Sequence, residues 1–164
     1  MKLIIGLGNS GEKYKNNRHN VGYMVVDELS KTQKLKNSKQ IKIFKSQSFM
    51  NDSGSFVVKQ IKNLKLKIEN LIVIHDDLDL PLGTWKMQVG KGPKDHGGIN
   101  DIEEKLGTKN FTRIRVGIDN RKPENRVPGD GYVLQDFSDE ERKVLAKVID
   151  EICKKLVTTL RNTN

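Results

Sequence analysis

Four consecutive apolar residues, Leu71-Ile72-Val73-Ile74, restrict the fold of this 164-residue chain more than any other segment. An uninterrupted run rich in β-branched side chains is typical of a strand that is buried on both faces of a sheet. A sheet of this kind needs helices packed on either side, so the run predicts an α/β protein. The polar residues His75-Asp76-Asp77 follow directly, and we expect the strand to end there.

The rest of the chain alternates between strand-like and helix-like apolar spacing. Strands are predicted at residues 3–5, 41–44, 84–89 and 111–118. Helices are predicted at residues 21–29 and 52–64, in a short stretch that ends near 106, and after a capping box at 138–141. Loops are predicted at residues 31–40, 90–98 and 121–131. This order of elements predicts one sheet with helices on both faces.

The composition excludes several classes of protein. A length of 164 residues suits one domain, and we expect a single domain over residues 1–164. Cys153 is the only cysteine, which excludes an internal disulfide, and we expect it to pack as a small apolar residue. The N-terminal apolar run breaks at Gly6, too early for a signal sequence, and no run of about 18 apolar residues could cross a membrane. We therefore expect a soluble cytoplasmic protein.

The charge of the chain points to a polyanionic partner. The 30 lysines and arginines exceed the 21 acidic residues, which leaves a formal net charge of +9. Clustered basic side chains gain affinity for nucleic acids by releasing the counterions of the phosphates. However, lysine is frequent even in plain surface stretches such as residues 31–45, so a general compositional bias remains an alternative explanation.

The first glycines form the pattern Gly6-x-Gly8-x-x-Gly11, which matches the dinucleotide-binding fingerprint, and Asp27 stands near the expected position of a ribose-binding acid. In that fingerprint a helix must begin within the glycines, so that its N-terminal amides face the pyrophosphate. Residues 12–17 lack helical apolar spacing, and the chain lacks a second mononucleotide-binding half. A dinucleotide enzyme is therefore the weaker alternative.

Polar side chains follow two of the predicted strands and open the first helix. Asn9 follows the first strand, His19-Asn20 precedes the helix, and Asp76 follows the buried strand. If the two strands are parallel neighbours, Asn9 and Asp76 converge at the edge where ligands bind in open α/β sheets. A histidine beside a carboxylate is the usual form of a general base, although His19 could also be a solvent-exposed residue near a helix N-terminus.

The acidic segment could also hold a metal ion. His75, Asp76, Asp77 and Asp79 are closely spaced, and His96 could complete a ligand set. Alternate residues of an extended segment face opposite ways, so at most two of these carboxylates can converge. The glycine and the terminal glutamate of a calcium-binding loop are also missing. We therefore expect neither a metal nor a cofactor.

Taken together, five motifs resemble the bacterial peptidyl-tRNA hydrolase family in their order along the chain. They are Gly6-Leu-Gly-Asn9-Ser-Gly11-x-x-Tyr14 with Asn17-Arg-His19-Asn20-x-Gly22, then Ser48-Phe-Met50-Asn51-x-Ser53-Gly54, then His75-Asp76-Asp77-Leu78-Asp79-Leu80-Pro81-x-Gly83, then His96-Gly97-Gly98, then Phe111-x-Arg113-Ile-Arg115-Val-Gly117-Ile. The resemblance implies a single α/β domain with a mixed twisted sheet. It also implies hydrolysis of the ester that joins a peptide to the 3′-terminal ribose of tRNA.

The resemblance further implies roles for individual residues. His19 corresponds to the catalytic histidine of the family and Asp76 to its carboxylate partner. The residues that correspond to substrate-binding positions are Asn9, Tyr14, Phe49, Asn51 and His96. Those expected to contact the tRNA backbone are Lys86 and Arg115, with Lys91 and Lys94 of the glycine-rich loop as additional candidates. The expected partner is peptidyl-tRNA, and the expected protein is a monomer that needs no metal and binds no membrane.

Two departures from the family pattern bear on the site. Gly97 stands where the family has an asparagine, so one polar group near the reacting water is missing, and Asn100 is a candidate to replace it. Gln88 stands where a further lysine is familiar. A catalytically weakened tRNA- or RNA-binding protein of the same fold therefore remains the alternative function.

Overall fold

A computed structural model describes residues 1–36 and 38–161 of the chain. Its five strands form a sheet in the order β2-β1-β3-β5-β4. The strands are β1 (Lys2–Gly6), β2 (Ile41–Lys45), β3 (Leu71–Pro81), β4 (Trp85–Val89) and β5 (Thr112–Asp119). All neighbouring pairs are parallel except β4 and β5, which are antiparallel, so the sheet is mixed as expected.

Helices connect most of these strands. They are α1 (Val21–Lys31), α2 (Gln33–Lys36), α3 (Ser53–Leu64), α4 (Gly97–Leu106), α5 (Gly129–Val133) and α6 (Asp139–Arg161). Short 3-10 turns precede α1 at Arg18–Asn20 and α3 at Met50–Asp52. The capping box before α6 is formed as predicted, because the backbone N–H of Glu141 donates to the Ser138 hydroxyl and Glu141 accepts from the backbone N–H of Ser138.

The sheet separates two apolar cores, which confirms the prediction of helices on both faces. On one face, side chains of α1 and α6 such as Val25 and Ile152 pack against Ile72 and Ile74. On the other face, α3 and α4 cover Val73 together with its neighbours on β1. Alternate residues of β3 therefore enter opposite cores, as its uninterrupted apolar sequence requires.

Strand β3 is longer than predicted. The run does not end at His75 but continues as a strand to Pro81, with a register shift against β5 between Asp77 and Pro81. Backbone pairing with the buried neighbour β5 keeps the polar segment extended, although its side chains give no strand signal. The irregularity lies at the position where the strand passes the cleft described below.

Two of the three predicted loops contain short helices. Residues 31–40 include α2, and residues 121–131 include a 3-10 turn at Pro123–Asn125 and the start of α5. Elements of four or five residues lack a full apolar period, so spacing alone does not reveal them. Asn37, within the first of these predicted loops, lies outside the described residues, as do residues 162–164 of the expected domain. No described helix is long and apolar enough to cross a membrane.

Candidate active site

His19 reaches the end of β3 because α1 begins unusually close to the sheet. A Cβ atom on Gly22 would collide with backbone atoms of Leu7 and Ile74, so only glycine allows this approach. The 3-10 turn Arg18–Asn20 directly before α1 is thereby held over the carboxyl ends of β1 and β3. The sequence thus brings a histidine to the sheet edge at which open α/β proteins bind ligands.

Asp76 lies between two imidazoles. Its Oδ2 atom is 2.8 Å from Nδ1 of His19, and its Oδ1 atom is 2.7 Å from Nε2 of His96. The side chains of Asp76 and His96 are almost fully buried, whereas that of His19 is 15% exposed. The structure therefore brings His19 and Asp76 into contact, as the sequence predicted, and it adds His96 to the same carboxylate.

The hydrogen bonds determine where each imidazole carries its proton. Nδ1 of His96 accepts from the backbone N–H of Ile99 at 3.2 Å, which leaves Nε2 as the protonated atom that donates to Asp76. An ionised carboxylate can only accept, so His19 donates to Asp76 from Nδ1. Nε2 of His19 is then the free basic nitrogen, with no hydrogen-bond partner in the part of the chain that the structure describes.

The same contacts shift the protonation equilibria. Burial by itself lowers the pKa of His19, but the negative charge of Asp76 and the hydrogen bond to it outweigh burial, so the pKa is raised above 6.5. Burial opposes ionisation of Asp76, but the charges of His19 and His96 and their hydrogen bonds prevail, and its pKa is lowered. Asp76 is therefore a carboxylate across the physiological range.

A third histidine, His75, contacts this group, and sequence reasoning considered it only as a possible metal ligand. Its Nδ1 atom donates to the backbone oxygen of Asp76 at 2.7 Å, and its ring lies edge-on to that of His96 at 5.2 Å. Complete burial, helped by the nearby His96, lowers the pKa of His75 to about 3. His75 is therefore neutral, and its Nε2 atom is buried without a partner in the described chain.

Asn9 presents an amide donor to the same edge. Its backbone N–H and carbonyl pair with the side chain of Asn20, at 2.8 and 2.9 Å. Its Oδ1 atom accepts from the backbone N–H of Met50 at 2.7 Å, so Nδ2 remains available as a donor. Strands β1 and β3 are parallel neighbours, which is the condition under which Asn9 and Asp76 were expected to converge.

These side chains line a cleft of about 860 Å³. Its polar lining includes Asn9, His19, Asn51, Asp76 and His96. Charged side chains of neighbouring segments, such as Arg121, Arg126 and Asp130, and apolar ones, such as the 65% exposed Phe49, form the rest of the wall. Four of the five predicted substrate-binding residues therefore line the cleft, and the fifth, Tyr14, contacts the edge of Phe49 with 6.4 Å between ring centres.

The acidic residues after Asp76 have separate partners. Asp77 is buried and accepts from Nε of Arg115 at 2.7 Å, and Asp79 accepts from the backbone N–H of Lys94 at 2.7 Å. Asp77 and Asp79 therefore do not share a possible metal position with Asp76. The described residues instead bring ligand atoms of His19, Asp76 and His96 within 4.8 Å of one another, a set that could hold a metal ion.

The four predicted tRNA-binding residues differ in their surroundings. Lys86, Lys91 and Lys94 are exposed, and none has an acidic partner among the described residues. Arg115 is only 9% exposed, because its guanidinium contacts Asp77 and Gln88 and is covered by Gly92. Its charge is therefore balanced inside the protein, and it supports the loop that carries the other two basic candidates.

The glycine-rich loop is irregular, as predicted, but it is held at several points. The carbonyl of Gly92 accepts from the guanidinium of Arg113, and the Lys94 backbone is bonded to Asp79. His96 is the last residue of the loop, and its side chain is hydrogen-bonded to Asp76. As the N-cap of α4, the same side chain accepts a hydrogen bond from the backbone N–H of Ile99. Regular structure is replaced here by side-chain hydrogen bonds to the backbone of the loop.

The proposed replacement for the missing family asparagine is not formed. Nδ2 of Asn100 donates to Asp95 at 2.9 Å on the exposed side of α4, and Asn100 does not line the cleft. Residues 97 and 100 are three positions apart, so they lie on similar faces of α4. Only Gly97, at the N-terminus of the helix, lines the cleft. Asn100, which the sequence offered only as a candidate, therefore does not reach the cleft, and the side chain beside Gly97 is that of Asn51.

A buried arginine next to His19 was also missed. Arg18 donates through Nη2 to both oxygens of Glu141, at 3.2 and 3.0 Å, and through Nη1 to the carbonyl of Tyr132. Its guanidinium stacks 3.9 Å from the centre of the Tyr132 ring. Glu141, which forms the capping box of α6 with Ser138, thus also fixes the turn that carries His19. The capping-box pattern in the sequence does not reveal this second role.

The dinucleotide interpretation lacks its required helix. Gly11 is followed by a 3-10 turn at Glu12–Tyr14, and the first long helix begins only at Val21. The Gly8 position is closed by the ring of Tyr23 and by Asn20. Within the described residues, no α-helix therefore begins among these glycines, as the dinucleotide fingerprint requires.

Comparison with known proteins leads to the same family as the motifs. A sequence profile described as peptidyl-tRNA hydrolase matches residues 3–164. Relatives of that name include the protein of Aquifex aeolicus, 37% identical over 98% of this chain and 90% of its own length, and that of Aliarcobacter butzleri, 43% identical over 91% and 86%.

Solved structures agree with this assignment. The peptidyl-tRNA hydrolase of Acinetobacter baumannii superposes with a TM-score of 0.84 at 28% identity, covering 99% of this chain and 89% of that one. Another, described as a complex of peptidyl-tRNA hydrolase with N-propanol, gives a TM-score of 0.83 at 29% identity, covering 94% of this chain and 86% of that one. With the profile spanning nearly the whole sequence and relatives of similar length, this chain belongs to the peptidyl-tRNA hydrolase family.

Proposed function

We propose that this protein hydrolyses the ester bond between a peptide and the 3′-terminal ribose of tRNA, as a cytoplasmic monomer that uses no metal or cofactor. The observation that carries the proposal is the His19–Asp76 pair, in which Nδ1 is held at 2.8 Å from the carboxylate and Nε2 is left as a free base in the cleft. Ester hydrolysis near neutral pH requires such a base to activate water.

In the proposed reaction, Nε2 of His19 takes a proton from a water molecule as the water oxygen bonds to the ester carbonyl carbon. Asp76 stabilises the resulting imidazolium and keeps the ring in its orientation. The tetrahedral intermediate then expels the ribose 3′-oxygen, which receives the proton from His19. The products are tRNA with a free 3′-hydroxyl and a peptide with a free carboxyl group, which releases its remaining proton to the solvent.

Amide side chains bind the acyl part in this proposal. Nδ2 of Asn9 is a fixed donor at the cleft, because Oδ1 is already bonded to the Met50 backbone. Asn51 also lines the cleft, and Phe49 and Tyr14 offer an aromatic surface. Donors placed before the reaction stabilise the developing oxyanion at little cost in reorganisation. His96 holds the second oxygen of Asp76 and so keeps the carboxylate aligned with His19.

Lys86, Lys91 and Lys94 bind the phosphates of the tRNA in this proposal, and Arg115 acts through the loop that it supports. Contacts to phosphates do not depend on base sequence, which suits an enzyme that acts on many tRNAs. Exposure and the lack of ion-pair partners among described residues support the three lysines. The burial of Arg115 against Asp77 supports its indirect role.

Release of N-acyl amino acid from N-acyl-aminoacyl-tRNA by the purified protein tests the activity, with and without EDTA. We expect cleavage in both conditions, and loss of cleavage on chelation would contradict the metal-free mechanism. His19→Ala should lower kcat about 10²- to 10⁴-fold while tRNA binding is retained, since a general base contributes about that much. Tight, salt-sensitive tRNA binding by the wild-type protein without turnover would instead support the inactive RNA-binding alternative.

A further inference from the structure

Gly97 is a glycine that its own backbone does not require. It is the first residue of α4, directly after His96, and its φ angle is not positive. Any L-amino acid can adopt that conformation, and most favour a helix more than glycine does. The reason for a glycine at this position must therefore lie in the space around it.

That space is occupied by a single side chain. A Cβ atom on Gly97 would overlap Oδ1 of Asn51 and lie 3.3 Å from its Cγ. Apart from its sequence neighbours and the backbone of its own helix, no other atom of the described chain lies within 4 Å. The next glycine is different, because a Cβ atom on Gly98 would meet Met50 and Leu7 of the core. Gly98 thus serves packing, whereas Gly97 makes room only for Asn51.

Asn51 is held firmly along its backbone but not at its side chain. The preceding Met50 donates its N–H to Asn9, and the N–H of the following Asp52 donates to the carbonyl of Phe49. The amide of Asn51 is exposed and makes no hydrogen bond within the described residues. Rotation about its side-chain bonds therefore determines whether the amide lies beside His96 or points away from it.

We propose that Gly97 is a positioning residue that keeps the Asn51 amide against the N-terminal end of α4, where it binds the acyl group of the substrate. This inference rests on the proposed function. The amide beside His96 in this protein is then supplied by Asn51 rather than by residue 97. A side chain at residue 97 and the observed orientation of Asn51 exclude each other.

Gly97→Ala tests the proposal. The added methyl group displaces the free end of a flexible side chain, so the midpoint of thermal unfolding is expected to stay equal or rise, as alanine favours the helix. The value of kcat/KM is expected to fall about tenfold, the effect of losing one hydrogen bond to the substrate. Gly131→Ala is the matched control, because its Cβ would come no closer than 4.0 Å to Val127 and Gly131 does not line the cleft.

A double-mutant cycle separates an effect through Asn51 from any other. If Gly97 acts by positioning that amide, Asn51→Ala alone and Asn51→Ala with Gly97→Ala have equal kcat/KM. Additive losses, or a wild-type value for Gly97→Ala, would overturn the inference while leaving the proposed function in place. A crystal structure of Gly97→Ala adds a readout that needs no activity. There, a turned Asn51 supports the proposal and an unmoved Asn51 overturns it, even if the wild-type protein proves inactive.

Discussion

Asp76 bonds two imidazoles through its two oxygens, and only one of these bonds reaches the proposed base. His96 is fixed from both sides, by Ile99 and by Asp76, and so has no free nitrogen. His19 is fixed from one side and keeps Nε2 for proton transfer. The two histidines of the cleft therefore differ in role because of their second contacts rather than because of their distance from Asp76.

The pH dependence of hydrolysis follows from this arrangement. Because Asp76 raises the pKa of His19, the base is neutral only at pH values above that raised pKa, and kcat/KM should rise with pH through it. The substitution Asp76→Asn removes the negative charge that raises the pKa of His19. Burial, which lowers that pKa, remains. The acidic limb should therefore move to lower pH, while the plateau falls about 10²-fold or more because the ring loses its orientation.

Profiles of kcat/KM between pH 5 and 9 would measure both effects. Asp79→Asn is the control for the position of the limb, since Asp79 lies on the same strand and bonds the Lys94 backbone rather than His19. An unchanged limb in Asp76→Asn would contradict the assignment of His19 as the titrating base.

At the residue scale, the contact of His19 with Asp76 was predicted from the family resemblance, because spacing alone left open a solvent-exposed His19. His96 follows a glycine-rich loop with no period, so its bond to the other oxygen of Asp76 could not be placed. The sequence also gives no sign that Arg115, which the resemblance assigns to tRNA binding, forms an ion pair with the buried Asp77. The catalytic and binding roles themselves remain predictions.

At the scale of elements, the turn before α1 depends on the C-terminal part of the chain. Arg18 of this turn forms a buried ion pair with Glu141 at the start of α6, with side chains only 8% and 6% exposed. The N–H of Arg18 also donates to the carbonyl of Gln135, between α5 and α6. Elements more than a hundred residues apart thus fix the position of the neighbouring His19.

Glu141→Gln should therefore be strongly destabilising. The change leaves the buried Arg18 guanidinium without a counter-charge, and removal of one partner of a buried pair costs about 3 kcal/mol or more. Urea unfolding would show it as a lower free energy of unfolding. Asp150→Asn removes a carboxylate from an exposed pair with Lys154 on the same helix and should leave the transition nearly unchanged. Equal effects of the two variants would contradict the structural importance of the Arg18–Glu141 pair.

The elements that spacing predicted are those with several apolar residues on one face. Four of the five strands and the four longest helices were found near their predicted bounds, whereas β3 begins as predicted but extends to Pro81. Helices α2 and α5 were missed, because four or five residues do not complete an apolar period. The extension of β3 through its acidic residues depends on pairing with β5, and distant pairing leaves no local signal in the sequence.

At the scale of the molecule, the unpaired basic residues proposed for tRNA lie on one side. Lys86 pairs in register with Arg115 of the adjacent strand, so its side chain shares the sheet face with that residue and with the loop that covers it. Lys91 and Lys94 project from the same loop. Helix α6 packs on the opposite face, where its exposed lysines would be remote from this surface.

The salt dependence of tRNA binding tests whether position or overall charge matters. Replacing Lys86, Lys91 and Lys94 with alanine should weaken binding and reduce the slope of log K against log salt by about 2 to 3, since each phosphate contact contributes about 0.7 to 0.9. Replacing Lys143, Lys147 and Lys155 of α6 removes the same charge from the other side and should change the slope little. Both sets of replacements would be made in the His19→Ala variant, which does not consume the substrate, and tRNA binding would be measured by filter binding. Equal slopes would mean that the net charge of +9, rather than this surface, attracts the tRNA.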